Sequence, residues 1–192
     1  MLRENPGLDA GVHLAITSEW ENVKWRPLTD CPSLVDDDGY FLPMMWPNPA
    51  YPGQSVLEKA GSINMDEVEA EFRAQIELAR KHIPQLTHIS GHMFSTMFNK
   101  EVNELTKRLA GEYGLVCTDV MEGMQNYSLE MTGYSGESKT SEDKTRSFIK
   151  SLEGMEKGKR YYFIDHPAYN DSEMQTVFHI GYENVAVDRQ GV

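Results

Sequence analysis

Apolar and polar residues alternate along positions 9–17. Ala10, Val12, Leu14 and Ile16 fall on one face, and Gly11, His13, Ala15 and Thr17 on the other. This period predicts a strand whose apolar face suits a layer of packed helices, and the small residues beside His13 leave room next to its imidazole. Positions 18–63 show neither the strand nor the helix period. They are rich in proline, hold Trp20, Trp25 and Trp46, and include the acidic turn Asp36-Asp37-Asp38-Gly39. A long excursion of this kind is usually functional or mobile, and one that follows a strand directly is placed to wall a site. Asn64 then has the character of a helix N-cap, with Glu67 at the capping-box position. Val68, Phe72, Ile76, Ala79 and Ile83 form a helical stripe, which Pro84 stops. A strand is predicted over Leu86–Ser90 and a helix over Glu101–Tyr113, with Val102, Leu105 and Leu109 inward and Gly114 as its cap. Next come a strand over Leu115–Thr118, a polar loop with Gly123, Gly133 and Gly136, a helix over Ser141–Glu153, a turn over Glu156–Lys159 and a strand over Arg160–Ile164. Beyond Pro167, positions Glu173–Phe178 have the composition of a short helix. The alternation of strands and helices predicts an α/β fold with parallel strands and covering helices, as a wound sheet or a barrel. The length of 192 residues predicts one domain over 1–192.

Charge narrows the partners. Thirty acids against 18 bases give a formal net charge of −12, which disfavours nucleic acid and anionic membrane surfaces. A small neutral or cationic ligand fits better. Cys31 and Cys117 form neither a CxxC pair nor a disulfide framework, so they read as reduced thiols and point to the cytoplasm. No apolar run approaches membrane-spanning length, and Met1–Gly7 carries no apolar signal core.

The chemistry lies in three histidines, each at or just past the end of a strand-like segment: His13, His92 and His166. Residues placed alike on successive strands are how a barrel or open α/β sheet assembles a site at one rim. Imidazole is the commonest side-chain metal ligand and also shuttles protons near neutral pH. The bland alternative for any one of them is a capping or partly buried histidine. Gly91 lets the backbone turn sharply before His92, and Pro167 pushes His166 towards an extended conformation. Asp165 points away from His166 by strand alternation. His88 reads as structural, and His82 as a helix-end histidine suited to the dipole there. Trp20 and Trp25 suit stacking on sugar rings as well as they suit packing of the loop against the body. For Trp46 packing is the better account, and Asp36–Asp38 reads as a solvated turn.

These same segments carry a family resemblance. Gly11-Val12-His13-Leu14-Ala15-Ile16-Thr17-Ser18-Glu19-Trp20 resembles the G-[LV]-H-L-x-L-T element of the YdjC-like (ChbG-type) carbohydrate deacetylases. Ser33–Phe41 resembles their S-L-V-D-x-x-G-x-F segment. Glu71–Ile76 followed by Thr87–Met93 resembles their A-Q-I helix and T-H-[LI]-[DS]-x-H strand end, and His166-Pro167-Ala168 their late H-P-[AG] element. The resemblance implies a TIM-like (β/α) barrel, a divalent metal ion such as Mg2+ or Zn2+, and removal of N-acetyl groups from amino sugars or chitooligosaccharides. It assigns His13 and His92 as metal ligands and His166 as the general acid.

Two departures accompany it. The family's first strand carries an acidic pair, supplying the third ligand and the base, about fifty residues before the G-x-H-L element. Here ten residues precede Gly11. An incomplete barrel, truncated at the N-terminus and also at the C-terminus, is therefore expected, with low or absent turnover. Its exposed sheet edges are a route to self-association, a homodimer being the simplest form. Ser90 also stands where many members have Asp. The competing functions are a metallohydrolase of another substrate class and a non-catalytic carbohydrate-binding protein.

Overall fold

The structure, a computed structural model, describes residues 2–118 and 128–190. The chain divides into two compact units, Met1–Glu19 with Lys24–Asp119, and Trp20–Val23 with Val120–Val192.

In the first unit, β1 (Ala10–Leu14), β2 (Leu86–Gly91) and β3 (Val116–Cys117) pair in that order, all parallel. Helix α1 (Met65–His82) joins β1 to β2, and α2 (Lys100–Tyr113) joins β2 to β3. Both connections are the crossovers that parallel neighbours require. The helix ends follow from local chemistry. The Asn64 side chain accepts from the Asp66 N–H and Asn99 from that of Val102. Gly114, at φ 66°, ends α2 in the left-handed conformation. The stripe Val68, Phe72 and Ile76 is fully buried, together with Leu14, Ile16, Ile89, Val102 and Leu109.

The stretch between β1 and α1 is more ordered than its sequence suggests. It contains single 3-10 turns at Pro32–Leu34 and Ala60–Ser62 and isolated bridges Val35–Phe41 and Met44–Ser55. Its Leu34, Phe41, Leu42, Met45 and Val56 enter the core. The expected Asp36–Gly39 turn is present: Asp36 Oδ1 accepts from the N–H groups of Asp38 and Tyr40 at 3.0 and 2.9 Å, with Gly39 at φ 78°.

A row of polar side chains on α1 holds this stretch, at the i, i+4 spacing that puts them on one face. Glu71, only 1 % exposed, accepts from the N–H groups of Leu28 and Thr29, the Thr29 hydroxyl and the Gln75 amide, at 2.7 to 3.1 Å. Gln75 grips both main-chain groups of Ala15, at 3.0 and 2.8 Å. The strand expected to run to Thr17 therefore stops at Leu14, since Ala15 bonds to α1. Glu67 does not close the expected capping box. It accepts from the N–H and hydroxyl of Ser33 at 2.8 and 2.7 Å, and the Ser33 hydroxyl accepts from the Asn64 N–H at 2.9 Å.

In the second unit, β4 (Leu129–Thr132) and β5 (Arg160–Phe163) pair parallel around α3 (Ser141–Glu153), which Thr140 caps. A 3-10 turn at Met174–Thr176 stands where a short helix is expected, and α4 (Val185–Arg189) follows. The predicted polar loop falls partly on 119–127, outside the described residues; its later part forms β4. Residues 20–23 join this unit through the Glu21 N–H, which donates to Phe178 O at 2.8 Å, and the Asn22 amide on Thr176 O. The expected α/β architecture of parallel strands and covering helices is what forms. The described strands make one three-stranded and one two-stranded sheet rather than a closed barrel.

Two outcomes follow. Glu71→Ala takes the acceptor from two partly buried N–H groups and a hydroxyl, and is expected to lower stability by roughly 2 kcal/mol in urea unfolding. On the outer faces of α1 and α2, Arg73 and Arg108 alternate with Glu69 and Glu112 at 2.6 to 3.0 Å. Hydrogen bonds from Arg108 and then Arg73 hold the Glu69 carboxyl at about 2, against an ordinary 4.5. Because the folded value is the lower one, this stabilisation is present above pH 4.5 and is lost as pH falls towards 2. Glu69→Gln is expected to flatten the melting temperature against pH within that window.

Candidate active site

The parallel register of β1 and β2 sets His13 opposite Ser90 and Leu14 opposite Gly91, so the two strands end together. His13 Nδ1 and the Ser90 hydroxyl lie 2.7 Å apart. The Ser90 hydroxyl thus holds the ring of the first histidine. His92 follows β2 directly. The ring centres of His13 and His92 are 5.5 Å apart at an interplanar angle of 76°.

Gly91 makes this turn possible. A Cβ there would stand 2.2 Å from Thr96 Oγ1 and 2.8 Å from the Thr96 main-chain nitrogen. The buried Ser95 hydroxyl donates to Leu14 O at 2.6 Å, tying the segment after His92 to the end of β1. His88 packs its ring over Gly11 and contacts Thr87 and Asp9, the structural role its position suggests.

Glu19 is the residue that sequence reasoning missed. It is nearly buried, and its carboxylate accepts from His92 Nε2 at 3.1 Å. A carboxylate only accepts, so Nε2 carries the proton and, in the neutral ring, Nδ1 keeps its lone pair. Such a carboxylate–imidazole pair fixes both tautomer and ring orientation. The ring of Trp25 stands edge-on to His92 at 6.5 Å, and its N–H groups include a main-chain donor to Ser18 Oγ at 3.0 Å. Cys31 is buried, and burial followed by the charge of Glu71 pushes its thiol up to about 11, so it is inert.

The two histidines fit part of a metal site. Two imidazoles on one tetrahedral ion at ~2.1 Å would have ring centres about 5 Å apart, close to the observed separation. Among the described residues no group of three His, Cys, Asp or Glu is arranged to hold an ion. Two imidazoles at this spacing are part of the donor set an ion would need, and the Glu19 carboxylate is bonded to one of them.

The remaining predicted residues lie in the second unit. Trp20 is 8 % exposed and engaged by rings and charge: His179 stacks at 5.7 Å, Tyr182 lies at 6.5 Å and the Arg189 guanidinium at 5.0 Å. His166 is exposed just past β5. Its N–H donates to Asp165 Oδ1 at 2.8 Å, and Asp165 also accepts from the Tyr134 hydroxyl. These bonds hold the Asp165 carboxyl below the usual range against the opposing effect of burial.

Known proteins resemble this chain. The family profile described as YdjC-like protein matches residues 1–190. A carbohydrate deacetylase from Thermus thermophilus is 37% identical over 110 residues, 57% of this chain and 37% of that protein. Carbohydrate deacetylase 2 from Listeria innocua is 31% identical over 114 residues, 59% of this chain and 40% of that protein. The chain thus spans well under half the length of these relatives. A solved Enterococcus faecalis structure, provisionally described as a cellobiose-phosphate cleavage protein, superposes with a TM-score of 0.63. It covers 96% of this chain and 70% of its own at 24% identity, a likeness of fold alone.

The Glu19 contact makes a spectroscopic prediction. At a pH where the ring is neutral, long-range 1H–15N NMR is expected to show His92 as the Nε2–H tautomer. Glu19→Gln should preserve it through the amide oxygen, and Glu19→Ala should yield a mixture. A Nδ1–H ring in the unsubstituted protein would overturn the assignment.

Proposed function

The chain belongs to the YdjC-like protein family, and from that premise we propose that it serves the hydrolysis of an N-acetyl group on an amino sugar, with His13 and His92 at the reacting centre. The observation that carries this reading is the 5.5 Å approach of two imidazoles from neighbouring parallel strands, one held by Ser90 and the other by Glu19. The relatives named as carbohydrate deacetylases supply the substrate class. The β–α units are read as part of a (β/α) barrel, whose strand ends gather reacting groups from separate segments.

In this reading His13 and His92 provide two ligands to a divalent ion, and other groups fill its remaining positions. When bound, such an ion lowers the pKa of water and polarises the acetamide carbonyl. The chain's own part is positional. Ser90 fixes the His13 ring, and Glu19 fixes the tautomer of His92, so that both imidazoles meet a ligand without rearranging. Gly91 admits the turn that brings His92 back to β1. Trp25 stands edge-on beside the His92 ring. The leaving amine also needs a proton as the C–N bond breaks.

The test combines product and ion. Oligomers of N-acetylglucosamine, incubated with the protein and added Zn2+ or Mg2+, are expected to release acetate slowly and only with the ion. His13→Ala and His92→Ala should reduce release to background and weaken Zn2+ binding by calorimetry at least tenfold. Ion affinity equal in all three proteins, or release of phosphate from sugar phosphates with no acetate from any N-acetyl sugar, would overturn the proposal.

A further inference from the structure

We propose that Trp46 and Phe94 form a binding platform for a pyranose ring of the carbohydrate, beside the His13–His92 centre; this rests on the carbohydrate reading above but not on the hydrolytic step. Both residues lie in the first unit. Their rings meet edge to face at 5.7 Å and 69°. Trp46 is 44 % exposed and Phe94 43 %, whereas Phe41 and Phe72 of the same unit are essentially buried.

The backbone holds Phe94 in place at a cost. Met93 has φ 47° and Phe94 φ 60°, two consecutive bulky residues in the left-handed region. That conformation is unfavourable for side chains of this size and persists only where its surroundings impose it. The two residues are used differently. Met93 turns inward, packs against the core and accepts a weak hydrogen bond from the Thr17 hydroxyl at 3.7 Å. Phe94 turns outward to Trp46, so burial of apolar surface does little to offset its strain. Exposed aromatics held by strained backbone are characteristic of ligand-contacting segments.

The chemistry favours a sugar. An edge-to-face pair presents two ring surfaces at an angle, a corner that a chair-shaped ring can fill. The faces of Trp and Phe carry negative charge density, which attracts the axial C–H groups of a pyranose and, more strongly, a cationic amine. A net charge of −12 agrees with a neutral or aminated sugar rather than an anionic one. Phe94 is two residues beyond His92, at most about 7 Å between Cα atoms, so one oligosaccharide can touch both.

The test is titration of the protein with the trimer of N-acetylglucosamine, followed by calorimetry and by saturation-transfer NMR, in chelator so that no ion takes part. Trp46→Ala is expected to weaken binding about tenfold and Trp46→Phe less than threefold. Phe94→Gly is the sharper variant, because glycine relieves the left-handed backbone. It should bind about tenfold more weakly while melting no lower than the parent, a combination a purely structural Phe94 would not give. Unchanged affinity in Trp46→Ala and Phe94→Gly, no binding by the parent protein, or a Trp46-dependent self-association in place of sugar binding would each overturn the platform. Acetate release with normal binding by both variants would remove the platform and leave the deacetylase reading intact. Weakened binding with no acetate release from any N-acetyl sugar would do the reverse.

Discussion

The arrangement of the first unit depends on one constraint: main-chain N–H groups that lie past the end of the sheet and lose part of their water must find acceptors. Beyond Leu14 the sheet offers none, because β2 ends at Gly91 opposite it. Helix α1 supplies them instead, from Gln75 to Ala15 and from the buried Glu71 to Leu28 and Thr29. A carboxylate at this depth is tolerable because its bonds come from several donors at once. The same helix buries Val68, Phe72 and Ile76 on its adjoining stripe. It therefore acts as core and as scaffold for the excursion, and the path of residues 15–29 past the end of β2 follows from that double use.

The histidine pair inherits its geometry from this arrangement. His13 sits on the last turn of pleat before the chain is captured by Gln75, and Glu19 lies within the segment that Gln75 and Ser18 position. The Ser18 hydroxyl accepts from Trp25, and the Ser18 N–H donates to Leu42 O at 3.0 Å. Each imidazole thus has one nitrogen engaged by a neighbour of different kind, a hydroxyl for His13 and a carboxylate for His92. That asymmetry makes the two rings chemically unequal although they come from equivalent strand ends.

The elements legible in the sequence are those whose cause is local. Asn64, Asn99, Thr140 and Gly114 mark helix ends by bonds made within a few residues, so α1, α2 and α3 fall where the periodicity places them. The pairing of His13 with His92 was legible because both close strands. Strand β4 was not: Leu129-Glu130-Met131-Thr132 is too short and too polar to stand out, and only its pairing with β5 defines it. Glu19 escaped because an acid in an aperiodic stretch looks solvated until a histidine 73 residues away covers it. The polar row of α1 left a faint signal, a glutamate directly before Phe72 on the flank of an apolar stripe. The exposure of Trp46 left none, since a tryptophan in an aperiodic stretch reads as packing.

Apart from the bond between them, Glu71 and Gln75 recognise mainly main-chain atoms of the excursion, together with the Thr29 hydroxyl. Their hold is therefore nearly blind to which amino acids occupy the segment they fix. The side chains along that segment are thus open to exchange through evolution while its trajectory stays put, without any redesign of the frame.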